Sequence, residues 1–110
     1  MDITELCQKL DLTYERQPSL GITENILDGW QEAMGMTFTV MALHQQTFKQ
    51  LTEIAASPTH PIVRRRLAGK FLREISTRPI TAEQQRMIHD AAKEMTKTAS
   101  LTLTANLLLG

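Results

Sequence analysis

A chain of 110 residues with zero formal net charge and 42% hydrophobic residues is long enough to enclose a core without disulfides or metal, and it carries no overall field to steer it toward nucleic acid or a membrane. Cys7 is the single cysteine, which excludes an intrachain disulfide, and its longest uncharged run is too short and too rich in Thr to cross a bilayer. With no signal-peptide pattern at the N-terminus, a reducing cytoplasmic setting is expected.

Charge is unevenly spread. Residues 1–57 hold eight acidic and three basic side chains, whereas 58–110 hold nine basic and four acidic. Two halves of opposite sign fold against each other or pair antiparallel in a dimer; the alternative is a basic half that meets an acidic partner.

In chain order, Asp2-Ile3-Thr4-Glu5 has the form of a capping box, followed by Ile3, Leu6, Cys7 and Leu10 at helical spacing. A short helix is expected over 3–10, with Cys7 a small buried hydrophobe on its apolar face. Residues 11–22 hold Pro18 and Gly21 and read as a connector; the alternation of Leu10, Leu12 and Tyr14 allows a brief extended piece.

The spacing predicts a long helix over 23–56. Leu27, Met34, Met41, Phe48 and Ala55 recur every seven residues, with Trp30, Thr37, His44 and Leu51 at the intervening seam positions. Thr23 is the expected N-cap, Gly35 a weak point, and Ser57-Pro58 the stop. His44 reads as a polar layer that sets helix register.

A basic helix is expected over 61–76, with Pro61 at its first position and Val63, Leu67, Phe71 and Ile75 as its buried face. Thr81-Ala82-Glu83-Gln84 is a second capping box, opening a final helix over 82–108. Its seam runs Ile88, Ala91, Met95, Thr98, Thr102, Ala105 and Leu109, and no charged side chain follows Lys97. The fold class expected is all-α: a helical hairpin or bundle in a single domain, with one short and three longer helices, two of them long, completed by self-association.

For function, the charge-free end of the final helix is the first candidate. Leu101, Leu103, Leu107 and Leu108 put apolar groups on more than one face and are the expected partner interface, since exposing several leucines favours association. That pattern implies a small protein–protein interaction module, an adaptor, chaperone or assembly subunit, with a homodimer favoured. The alternative is a nucleic-acid-binding accessory or regulatory protein. For that reading Arg64, Arg65, Arg66, Lys70, Arg73 and Arg78 supply the phosphate or acidic-partner contacts. The basic helix lacks the tight turn of a helix-turn-helix, and with Phe71 on its buried face no aromatic residue is interleaved with the exposed cations for stacking on bases. Neither Glu-x-x-His nor His-x-x-x-His occurs around His44 or His89, so no metal, cofactor or catalytic constellation is expected. Met34, Met36, Met41, Met87 and Met95 read as core filling.

Overall fold

The computed structural model describes residues 2–16 and 44–110. Among them lie five α-helices and no strand: α1 (Ile3–Arg16), α2 (Gln45–Ala56), α3 (Ile62–Ser76), α4 (Ala82–Met95), a 3-10 turn at Ala99–Leu101, and α5 (Thr102–Leu109). These belong to two units, Met1–Gln50 and Leu51–Gly110, with the division inside α2. No helix among the described residues is long and apolar enough to cross a membrane.

In the first unit, Asp2 caps α1 as its spacing implies, its Oδ1 accepting from the Glu5 N–H at 2.8 Å. The helix then runs well past its expected end at Leu10. Leu6, Leu10 and Thr13 continue one buried stripe at helical steps, and the buried Thr13 hydroxyl donates to the Lys9 carbonyl at 2.8 Å. The suggested extended piece is therefore helical, with Leu12 and Tyr14 on the exposed side. Cys7 is buried on the apolar face.

Of the long helix expected over 23–56, the C-terminal part is seen as α2. Residues 23–43, including Leu27, Trp30, Met34, Gly35 and Met41, lie outside the described residues. His44 departs from expectation: it precedes α2 outside the helix and is exposed, so it forms no polar layer in a seam. Its carbonyl accepts from the Phe48 N–H at 3.1 Å, where the helical ladder begins. Phe48, Leu51 and Ala55 are buried, as the heptad spacing requires.

The second unit holds the remaining helices. Pro61 occupies the N-cap of α3 (φ −57°, ψ 146°) rather than the first helical position. Leu67, Phe71 and Ile75 are buried as expected, joined by Ala68 and Leu72, but Val63 in the first turn is exposed. The Thr81 capping box forms completely. Thr81 Oγ1 accepts from the Gln84 N–H at 3.0 Å, and Gln84 Oε1 accepts from the Thr81 N–H at 2.9 Å.

The expected single helix over 82–108 is broken. α4 stops at Met95, where the Thr96 hydroxyl bonds back to the Lys93 carbonyl at 2.6 Å. Thr98 is extended (φ −112°, ψ 114°) and leads into the 3-10 turn. Thr96, Thr98, Ser100 and Thr102 are residues whose hydroxyls compete for backbone groups, so this stretch holds a helix poorly. The break rephases the apolar face. Ile88, Ala91, Met95 and Ala105 are buried as the seam requires, but from the turn onward Leu101, Thr104 and Leu108 are buried as well, while Thr102 is exposed.

The break also reverses the chain. α5 returns along α4 as an antiparallel hairpin, bringing Leu108 beside Ile88 on the wall of one cavity. Against α3 it runs parallel: the Arg66 guanidinium reaches the Ser100 carbonyl and Arg73 the Leu107 carbonyl, both across an interval of 34 residues. Gly69 sits where these helices meet. A Cβ there would lie 2.8 Å from Met95 Cε and 2.9 Å from Thr104 Cγ2, so a glycine in mid-helix is required by the close approach.

Candidate functional site

The two sets of residues that sequence spacing nominates, the cations of α3 and the leucines around α5, are packed against one another in the second unit. Every helix leaves its last carbonyls without intrahelical partners, at the negative end of its dipole. Arginines from α3 and its C-terminal turn occupy three such ends.

Arg65 serves the end of α2. It is 3% exposed, its Nε donates to the Ala55 carbonyl at 3.0 Å, and its Nη2 lies 3.5 Å from the Ala56 carbonyl. Its Nη1 donates to Thr98 Oγ1 at 3.0 Å, fixing the break after α4. Burial pulls the Arg65 pKa below its ordinary value, and the nearby Glu94 carboxylate acts in the opposite sense. Arg73 serves the end of α5, donating to the Leu107 carbonyl at 3.0 Å. Arg78 serves the end of α3 itself, donating to the Glu74 carbonyl at 2.7 Å.

Arg66 donates to the Ser100 carbonyl at 3.3 Å in the 3-10 turn. Arg64 donates to Nδ1 of His60 at 3.2 Å, which places His60 at the start of α3 in a local pair. Lys70 is half-buried, and its pKa is lowered by that burial and by the neighbouring Arg66. The stripe read as a phosphate-binding face is thus largely turned onto the chain's own carbonyls. Arg65 in particular is no surface contact, because burial removes it from any partner.

The four leucines divide in two. Leu101 and Leu108 are 0% and 5% exposed, so the chain itself covers two of the four residues expected at a partner interface. Leu103 and Leu107 are 78% and 51% exposed, one turn apart on the outer side of α5. No side chain of that helix is charged. Exposed leucine pairs on such a surface leave a face that only apolar contact covers.

Among the histidines, His89 is exposed beside a cavity of about 250 Å³ that Arg73, Ser76, Gln85 and Leu108 help to line. Among the described residues no group of three or more His, Cys, Asp or Glu side chains is placed to hold a metal ion. Met95 fills the core against Gly69, whereas Met87 is half-buried at the edge of α4. What sequence reasoning missed is the use of arginine as a helix-end partner. The signal was present in the spacing of Arg66 and Arg73, seven residues apart on one face, matching that of Ser100 and Leu107.

Set beside known protein families, curated proteins and solved structures, the chain matches none of them.

Proposed function

We propose that the protein is a small helical interaction module whose contact face is the outer side of α5, and that it is not an enzyme. The observation that carries this reading is the exposure of Leu103 and Leu107 on a helix without charge. Covering a leucine contributes roughly 1.5–3 kcal/mol, so two adjacent ones supply a centre around which an interface builds. The expected occupant is an apolar helix face, in the first instance that of a second copy. Because Leu101 and Leu108 are already covered within the chain, the face is narrower than the sequence pattern implies, and a weak dimer is the expectation.

The nucleic-acid reading loses support from the same geometry. Five of its six cations, Arg64, Arg65, Arg66, Arg73 and Arg78, donate to groups of their own chain. Fewer guanidiniums remain for phosphates, and affinity scales with the number neutralised.

The test is light scattering on a sizing column, with absorbance at 260 and 280 nm, on protein purified without nuclease and on the Leu103→Glu/Leu107→Glu variant. A dimer that becomes a folded monomer on substitution supports the reading. An unchanged native mass sinks self-pairing, and a peak rich in 260 nm absorbance that strips in high salt transfers the function to the basic helix.

A further inference from the structure

A second surface lies on the opposite side of α4. Met87, Asp90, Ala91 and Glu94 follow at i, i+3, i+4 and i+7, one continuous stripe on that helix, and they line a groove of about 270 Å³ with Glu53 and Ala56 from the last turn of α2. The floor is mainly apolar, with Ala56, Ala91 and Met87 beside the methyl-bearing Thr52, and its two alanines let another backbone approach closely. The rim holds three carboxylates, and no basic residue lines it. The bases that pair with the rim stand outside it: Arg86 meets Asp90 at 3.0 Å and Lys97 meets Glu94 at 3.0 Å. Both pairs are solvent-exposed, so each is worth little and exchanges readily for an incoming cation. The volume falls below the ~300–1,000 Å³ of small-molecule sites, and the groove is open along its length. It accommodates one or two side chains of a longer ligand.

We propose that this groove docks a cationic amphipathic helix of a partner protein, with an apolar residue over Ala56 and Ala91 and Lys or Arg residues against Glu53, Asp90 and Glu94. This is the helix-in-groove mode, with charge setting orientation and apolar contact supplying affinity. The surface is separate from the leucine face of α5 and stands independently of it.

The probe is a fluorescein-labelled synthetic peptide of leucine and lysine at amphipathic helical spacing, titrated with the full chain by anisotropy. The control has the same composition with the helical phase scrambled. Wild-type protein is expected to bind the first peptide and not the second. Glu53→Gln/Asp90→Asn/Glu94→Gln, all at exposed positions, is expected to weaken binding about tenfold. Leu103→Glu/Leu107→Glu is expected to leave it unchanged. Methyl NMR is expected to show shifts at Ala56 and Ala91. Equal binding of both peptides, no binding to wild type, an unaltered affinity in the triple variant, or shifts confined to Leu103 and Leu107 would each overturn the proposal. Only the last would favour the α5 face instead.

Discussion

The guanidinium of Arg65 on α3 holds the Thr98 hydroxyl at 3.0 Å with one nitrogen and the Ala55 carbonyl at 3.0 Å with another, so one side chain joins the end of α2 to the break after α4. A buried charge of this kind is tolerated because its hydrogens find oxygen partners; without them the desolvation cost would dominate.

Arg65→Ala therefore leaves buried carbonyls unsatisfied and is expected to lower stability by about 3 kcal/mol in urea unfolding. Thr98→Ala is expected to cost about 1 kcal/mol. Because the two side chains share a bond, the double variant should lose less than the sum of the singles. Strict additivity would show that the Arg65–Thr98 contact carries no energy.

Gly69→Ala ought to stabilise an isolated helix by about 1 kcal/mol. Here the added methyl would press on Met95 Cε at 2.8 Å and Thr104 Cγ2 at 2.9 Å, so the net expectation is a loss of about 1–2 kcal/mol. In a Thr104→Ser background, which lacks the Cγ2 methyl, the same change should cost less. Thermal unfolding of the four proteins checks both statements, and a stabilised Gly69→Ala would refute the close approach.

The leucines around α5 should separate cleanly by assay. Leu101→Ala or Leu108→Ala removes core volume and is expected to cost about 2–5 kcal/mol. Leu103→Glu and Leu107→Glu sit on the surface and are expected to change unfolding free energy by less than about 0.5 kcal/mol while abolishing association. Similar destabilisation by both pairs would remove the distinction between covered and open faces.

Glu83 carries the acid-side signature of α4. Its carboxylate accepts from Arg86 through both oxygens, and this hydrogen bonding, with the Arg86 charge, holds its pKa below the usual glutamate range. A carboxyl whose folded pKa is depressed contributes stability that is present above its unfolded pKa and lost as pH falls through the folded one. Carboxyl NMR titration should find Glu83 protonating at lower pH than an ordinary glutamate, and Arg86→Ala should return it upward. A titration unchanged by that substitution would rule out the pairing.

Much of the fold was legible where a local rule decides it. The Thr81–Gln84 box, the stop at Ser57-Pro58 and the buried positions Leu67, Phe71 and Ile75 all follow from spacing and capping chemistry. The break after Met95 was harder to read, since the small residues at Thr98 and Thr102 fit a helical seam as well as they fit a turn. What decides against the seam is a tertiary contact, the reach of Arg65 to Thr98, and no local pattern contains it. The arginines illustrate the same limit. Their periodicity marks one face of α3 but not whether that face meets solvent or carbonyls. Of the four leucines expected at a partner interface, Leu103 and Leu107 are exposed, while Leu101 and Leu108 are buried within the chain once the helix breaks.

The constant interval between Arg66 and Ser100 and between Arg73 and Leu107 acts as a length gauge on the helical segments between them. One residue inserted into α4 turns all that follows by about 100° and advances it by 1.5 Å, which would uncouple Arg66 from the 3-10 turn and Arg73 from α5 together. Divergence of this stretch is therefore expected to proceed by replacement of side chains at fixed length, with gains and losses of residues confined to the connection around Pro79, before α4 begins.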